Sequence, residues 1–181
     1  HSEEFAIATT KSVSDTRMDA QEYALRFLYF RYLKQTTGNI EGYSGNMDED
    51  LDSFVDVQSK KILFDIEEYK KAYSWALQNA AYLFGRHAFR KVDAYSNVNS
   101  ERSVINKALF LTWTLLLADF DPETIRNRFD PNSWISVLGN EISADNEYLW
   151  FLSYGTNGWK NLTYSYNKTL SIIKNQGLYN E

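Results

Sequence analysis

The chain has 181 residues, two histidines, no cysteines and a formal net charge of −5. A chain of this length buries about 70% of the surface that it exposes when unfolded, which suits one domain with a sizeable core. The lack of cysteine excludes thiolate nucleophiles, disulfides and cysteine-ligated metal centres within this sequence. The acidic balance gives no overall attraction to nucleic acid, because that binding depends on Lys and Arg side chains that neutralise phosphates.

The sequence shows no sign of secretion or membrane insertion. Its longest apolar run, Ala108 to Ala118, is far shorter than the ~20 residues that cross a bilayer. No basic-then-apolar leader opens the chain. We therefore expect a cytoplasmic protein without membrane contact.

Helix breakers are few, and they lie between periodic segments. Only two prolines and eight glycines occur in the chain, which favours an all-α fold: a compact multi-helix bundle, with residues 1–181 as a single helical domain. An apolar stripe that opens at Asp19 predicts a helix over 19–35. A turn-rich loop follows, and then a second helical region over about 47–58.

The clearest periodicity predicts a long helix that ends at Gly85. Its apolar seam is spaced by alternating steps of four and three residues: Ile62, Ile66, Tyr69, Tyr73, Ala76, Ala80 and Leu83. Residues 91–103 are polar and aperiodic, and are therefore expected to form a loop. Ser103 is expected to cap the next helix, over 104–118, whose near-continuous apolar face places it at the centre of the bundle.

Each of two Asp-Pro pairs, at 121–122 and 130–131, predicts a short helix, because Asp caps a helix and Pro suits its first position. The first of these helices is expected over about 122–129, and the second is expected to end at Leu138. Two more helices are predicted in the C-terminal part of the chain: one that starts at Ser143 or Asp145, and one over about 159–175.

Three aspartates, Asp48, Asp50 and Asp52, have the spacing of the first ligands of an EF-hand calcium loop. That loop also needs a glycine at its sixth position and a bidentate glutamate at its twelfth. Ser53 and Ser59 occupy those positions here. We therefore expect no metal site.

Catalytic motifs are also missing from the sequence. It contains neither a Gly-x-Ser-x-Gly nucleophile elbow nor a phosphate-binding Gly-x-x-x-x-Gly-Lys-Ser/Thr loop, and His87 is the only internal histidine. An enzyme that uses paired carboxylates, Asp65 with Glu67 or Glu68, is one open alternative, although these residues lie on a solvent-facing helical side. We expect no catalytic residue and no cofactor in this chain.

The densest basic segment, residues 86–91, follows the long helix. In one interpretation, Phe89 fills the core while the charges cap the helix and pair with acids. In the other, a basic patch binds a phosphate or a partner domain, helped by the free N–H groups of the next helix's first turn. The candidate side chains for this patch are Arg86, Arg90, Lys91, Asn106 and Lys107, reinforced by Arg102.

Four segments of the sequence share their order and spacing with a known family. They are Arg17-Met18, Tyr-Ala-Leu-Arg-Phe at 23–27, Leu-Phe-Gly-Arg-His-Ala-Phe-Arg at 83–90, and Ile-Asn-Lys-Ala-Leu-Phe at 105–110. Together they resemble the helical region that follows the N-terminal ParB-like domain in GmrSD-type restriction endonucleases and their bacterial relatives. The resemblance covers about residues 15–120.

The resemblance implies a C-terminal fragment of a phage-defence protein that acts on modified or foreign DNA. Family members pair a nucleotide-binding N-terminal domain, marked by Asp-Gly-Gln-Gln-Arg, with this helical region and often with an HNH-type nuclease. This sequence contains neither motif, so the family's catalytic residues map to no position here. The expected role is a non-catalytic support or sensor domain that docks on the N-terminal domain of the same parent chain, with Phe27, Phe89 and Phe110 as core anchors.

Two further partner assignments follow from the sequence. Any contact with DNA is expected to pass through the local basic patch, because the chain as a whole is acidic. The alternative to a docking domain is a stand-alone helical module that binds another protein through exposed aromatic residues.

Overall fold

The computed structural model describes residues 2–13 and 19–179. Within these residues it contains nine α-helices, one 3₁₀ helix and no strand, which confirms the predicted all-α multi-helix bundle. The α-helices are α1 Glu3–Ala8, α2 Asp19–Thr37, α3 Met47–Lys60, α4 Ile66–Phe84, α5 Lys107–Leu117, α6 Pro122–Arg128, α7 Trp134–Ala144, α8 Asn146–Ser153 and α9 Trp159–Asn175. Buried side chains from all nine belong to one hydrophobic core.

Helix α5 is the centre of this core, as its apolar sequence predicts. Every residue from Ala108 to Leu117 is buried, and the helix packs against α2, α4 and α9. Thr112 donates its hydroxyl to the carbonyl of Ala108 at 2.9 Å, and Thr114 donates to that of Phe110 at 2.7 Å. Because both hydroxyls are paired within the helix, these polar groups can be buried at low cost.

The predicted start of α5 is wrong, because Ser103 does not cap it. The helix begins at Lys107, and the side chain of Asn106 caps it by accepting two backbone N–H bonds at 3.0 Å each. The residue before the cap is extended instead of helical, since Ile105 forms an antiparallel bridge with Arg90.

The predicted start of α4 is also wrong, whereas its end at Gly85 is confirmed. The carboxylate of Asp65 accepts two backbone N–H bonds, at 2.8 and 3.1 Å, and so begins the helix at Ile66. Ile62 therefore lies outside the helix and is 52% exposed. Gly85 has φ +52°, and a Cβ there would lie 2.0 Å from Asn132 Oδ1, so both the backbone angle and the space favour glycine.

The prediction that a helix ends at Leu138 is wrong. Helix α7 continues through Gly139 to Ala144, and the second Asp-Pro pair forms a turn before it. A Cβ at Gly139 would lie 2.0 Å from the carbonyl oxygen of Asp93. This glycine therefore lets the 91–103 loop approach the helix closely and does not break it. Asp145 then caps α8, as predicted.

The remaining helices agree with the sequence, with one omission. Helices α2 and α3 extend to Thr37 and Lys60, slightly beyond their predicted ends, and α6 and α9 lie where they are expected. Helix α1 was not predicted, because six residues are too short to show a period. It packs against α4 and buries Phe5 and Ala8.

Candidate functional site

Three of the four segments that carry the family resemblance meet in the core. The ring centroid of Phe110 lies 4.4 Å from that of Tyr23 and 4.5 Å from that of Phe89. Phe27 is likewise fully buried. The fourth segment, Arg17-Met18, lies outside the described residues.

Backbone contacts join two of these segments, 83–90 and 105–110. The N–H of Asn106 donates to the carbonyl of Phe89 at 2.9 Å, next to the bridge between Arg90 and Ile105. Phe89 adopts φ +62°, a left-handed conformation that costs a bulky residue of order 1–3 kcal/mol. Burial of its ring in the core stabilises this backbone, and the strained turn directs the next residue, Arg90, towards the N-terminal segment.

Arg90 is the polar centre of this junction and is only 3% exposed. Its guanidinium donates to three carbonyls and two hydroxyls from separate segments: the carbonyls of Arg86, Ser103 and Thr9, and the hydroxyls of Thr10 and Ser12. These contacts connect the turn after α1 to the 3₁₀ helix, Gly85–His87, and to the end of the 91–103 loop. We call Arg90 with these five partners the arginine junction.

The turn that Arg90 holds is strained. Thr10 and Lys11 have φ +53° and +55°, a region that β-branched residues such as threonine rarely adopt. Arg102 also donates to the Thr10 hydroxyl, at 2.5 Å. Two arginines therefore stabilise one strained turn through a shared hydroxyl group.

The arginine junction has no acidic partner among the residues that the structure describes. None of the ion pairs between described residues includes Arg86, Arg90 or Arg102. Burial and, after it, the charge of Arg102 lower the pKa of Arg90. Since arginine stays protonated, the repulsion between Arg90 and Arg102 is a cost to the fold, and the solvent around the exposed Arg102 reduces it.

A small cavity opens beside these charges. Its volume is about 180 Å³. Six residues line it: Ser12, Arg90, Arg102, Ser103, Val104 and Ile105.

His87 lies next to the junction but is only 1% exposed. Burial and, after it, the charge of Arg86 lower its pKa, and neither ring nitrogen has a hydrogen-bond partner among the described residues. The imidazole is therefore neutral at pH 7, and it packs within the fold.

The five side chains predicted as a basic patch do not form one free face. Arg86 is exposed, Arg90 is buried in the junction, and the amide of Asn106 donates to the carbonyl of Leu152 while its oxygen caps α5. Two lysines have partners within the chain: Lys91 bonds Ser153 at 3.1 Å, and Lys107 bonds Glu22 at 3.0 Å. The tertiary structure thus places Arg102 and Ser12 at the cavity with Arg90, instead of the lysines.

The carboxylate pair considered in the sequence has a structural explanation. Asp65 caps α4 by accepting from the N–H groups of Glu67 and Glu68. The carboxylate of Glu68 lies 3.6 Å from Arg31. These contacts are those of a helix cap and a surface ion pair.

A second charged cluster, which the sequence analysis missed, surrounds Asp119. Its carboxylate accepts from Arg31 at 3.1 Å, from Lys34 at 2.5 Å and from Tyr179 at 3.0 Å. Burial alone would raise the pKa of Asp119, but Lys34, Tyr179 and Arg31 hold it below its ordinary value. A cavity of about 700 Å³ adjoins this Asp119 cluster, with Tyr166 in its wall. An acid directly after the apolar run of α5 is the sequence signal that could have revealed it.

Neither a metal site nor a membrane span appears in the described part of the chain. No group of three or more His, Cys, Asp or Glu residues there could hold a metal ion. None of the helices there has the length and apolarity to span a bilayer.

No protein-family model, no curated protein and no solved structure matches this chain.

Proposed function

We propose that this chain is a non-catalytic helical support or sensor domain of a bacterial restriction protein that acts on modified or foreign DNA. In this proposal it docks on a nucleotide-binding N-terminal domain of the same parent chain. One observation supports the proposal most: the three described segments that resemble the GmrSD-type helical region meet at the ring of Phe110.

Contact between these segments is what a shared structural unit requires. Segments far apart in the chain, 83–90 and 105–110, are joined by a ring contact and by a backbone hydrogen bond. Two polar residues of these segments have structural roles: Arg90 donates to carbonyls and hydroxyls, and Asn106 caps a helix. Residues used in this way favour a supporting role over a catalytic one.

The N-terminal segment offers a docking surface for an upstream domain. Helix α1 is held on α4 by the arginine junction, and its Ile7 side chain is 58% exposed. A cavity of about 480 Å³ lies beside it, lined in part by Glu4 and Tyr82. A domain that precedes residue 1 would reach this surface first.

The first test is genetic and needs the parent gene. We expect the reading frame upstream of residue 1 to encode a domain with an Asp-Gly-Gln-Gln-Arg motif. Cells that express the parent should restrict a phage whose DNA carries modified bases, measured as a lower efficiency of plating than for an unmodified phage. A frame without that motif, or equal plating of both phages, contradicts the proposal.

The second test measures docking directly. The upstream domain and residues 1–181, produced separately, should bind in isothermal titration calorimetry. Ile7→Asp should weaken that binding at least tenfold because it places a charge in an apolar interface. Val57→Asp is the matched control, since Val57 is a similarly exposed aliphatic residue on α3. Equal effects of the two variants would overturn docking through α1.

A second candidate function, a stand-alone protein-interaction module, is favoured by the exposed aromatics of α8. Trp150 and Tyr154 are 57% and 59% exposed, and their ring centroids lie 4.4 Å apart. A photo-crosslinking amino acid at position 150 should then capture a specific protein in cells. The same amino acid at position 95, where Tyr95 is also exposed, should not.

A further inference from the structure

The cavity of the arginine junction is lined by two guanidinium groups, and no described carboxylate pairs with either of them. We propose that it binds a phosphate monoester group. This proposal does not depend on the proposed function, because it follows from the charges and shape of the cavity alone.

The charges at the cavity call for an anion. Arg90 and Arg102 both donate to the hydroxyl of Thr10, so the two cations are neighbours, and Arg86 adds a third positive charge nearby. Buried charges in proteins are normally paired. A tetrahedral oxyanion would balance these cations, with which no described carboxylate pairs.

Both arginines line the cavity and keep N–H donors that their hydrogen bonds within the chain do not use. Arg90 uses one N–H of Nη1 on Ser103, its Nε–H on Arg86 and its Nη2 on the turn, so that the second N–H of Nη1 is left for a ligand. Arg102 is exposed and uses Nη1 on Thr10, which leaves further donors in its planar fork. Arginine forks match the spacing of phosphate oxygens.

The size of the cavity limits the ligand. A volume of about 180 Å³ holds one phosphate group and a few waters, since each water occupies about 30 Å³ in the liquid. Arg90 is nearly inaccessible from bulk solvent, so a ligand reaches it only through a narrow terminal group. The continuous backbone of a DNA duplex does not fit this description.

Charge also favours a monoester over a diester. A phosphate monoester carries about −1.5 to −2 at pH 7, which balances two arginines, whereas a diester carries a single negative charge. Val104 and Ile105 form the apolar side of the cavity, where the group attached to the phosphate would lie.

The first experiment uses inorganic phosphate as the probe. Thermal unfolding of the 181-residue chain is followed at constant ionic strength, with phosphate replaced by chloride in the reference. Saturable stabilisation of about 3–6 °C at ten times the Kd is expected. An equal Tm in phosphate and in chloride overturns the proposal.

Two variants distinguish phosphate binding in this cavity from a general screening of the protein's charges by phosphate. Arg102→Gln removes the exposed fork and should weaken phosphate binding about 10- to 100-fold, because a charge-assisted bond is lost. Arg126→Gln is the matched control: it removes the same charge from an exposed position on α6 and should leave the affinity unchanged. If both variants bind phosphate like the unmodified chain, or if both lose it equally, the assignment to this cavity is wrong.

A second readout does not depend on stability. Phosphate should raise the pKa of His87, followed by NMR of its ring protons, because the anion offsets the positive charges that lower that pKa. Arg102→Gln should abolish the rise. A His87 pKa that does not respond to saturating phosphate counts against the site.

The source of the phosphate is tested with three probes: adenosine 5′-monophosphate, adenosine and a duplex oligonucleotide without terminal phosphates. The monoester proposal expects competition with inorganic phosphate by the nucleotide alone. Competition by the duplex at equal phosphate concentration would show a phosphodiester site and would overturn the monoester assignment.

Discussion

Two buried arginines in this protein have opposite surroundings. Arg31 lies 3.1 Å from the carboxylate of Asp119 and 3.6 Å from that of Glu68. Arg90 is bonded only to carbonyls and hydroxyls, and its charged neighbours among the described residues are other cations. Arginine is thus paired with carboxylates in one region and has no described carboxylate beside it in the other.

The two regions differ in whether the described residues balance the charge of the buried arginine. At the Asp119 cluster the protein supplies its own counter-charge, so this cluster needs no ligand to balance its charges. At the arginine junction each guanidinium nitrogen of Arg90 has a hydrogen-bond partner, but no described carboxylate pairs with this side chain. An external anion should bind most favourably where buried cations have hydrogen bonds but no described carboxylate beside them. The predictions below test this contrast between the two regions.

The largest effect is expected from Asp119→Ala. The variant removes the acceptor of Lys34 and leaves Arg31 with only the more distant carboxylate of Glu68. It should lower the free energy of unfolding by about 2–4 kcal/mol, somewhat less than for a fully buried pair because Asp119 is partly exposed. Urea unfolding measures the change. Asp52→Ala, at an exposed position on α3, should stay within about 0.5 kcal/mol of the unmodified chain.

Arg90→Met should cost about 1–3 kcal/mol in the same measurement. The variant leaves the carbonyls of Thr9 and Ser103 without their donor, but it also removes the repulsion from Arg102. Arg90→Lys keeps the charge and loses the fork, so it should be destabilised to a similar extent. If the lysine variant matches the unmodified chain, the arginine geometry is not what holds the junction.

The two regions should also lose stability in different pH ranges. The pKa of His87 is lowered in the folded state, so the unfolded chain binds its proton more tightly, and stability falls as the pH drops below the ordinary value of 6.5, by at most about 1.4 kcal/mol per pH unit. The pKa of Asp119 is also lowered, but from 3.8, so its contribution is lost only below that pH. Urea unfolding from pH 8 to 3 should show two separate declines, and phosphate should reduce only the first.

The smallest changes in stability are expected from two variants that each remove one cation. Lys34→Gln removes a cation that pairs with Asp119 at 2.5 Å, and should destabilise the chain by about 0.5–1 kcal/mol. Arg102→Gln removes a cation beside Arg90 and should change stability by no more than about 0.5 kcal/mol, because lost repulsion offsets the lost bond to Thr10. A larger loss in Arg102→Gln than in Lys34→Gln would reverse the comparison.

Local signals in the sequence account for most of the helices. The apolar run of α5, the Asp-Pro start of α6 and the cap at Asp145 each act within one or two turns. The wrong predictions of helix boundaries occur where contacts with residues far away in the chain determine the local structure. Gly139 continues a helix because the backbone of Asp93 packs on it, and Ile105 is extended because it pairs with Arg90.

The candidate site was only partly visible in the sequence. Arg90 and Arg86 stood out because they lie in a dense basic segment. Ser12 and Thr10 could not be assigned to the same site, since they lie in an irregular turn whose contacts with Arg90 leave no spacing pattern in the sequence. Asp119 was missed for a related reason: its partners Arg31 and Tyr179 are far away in the chain.

The sequence by itself determined the all-α class, the central position of α5 and most helix boundaries, because periodicity and capping are interactions between near neighbours. The tertiary structure alone decided which cations lie beside an acid and which do not. That outcome depends on how the turn after α1 and the 91–103 loop pack around Arg90, and a pairing across so many residues leaves no regular spacing in the chain.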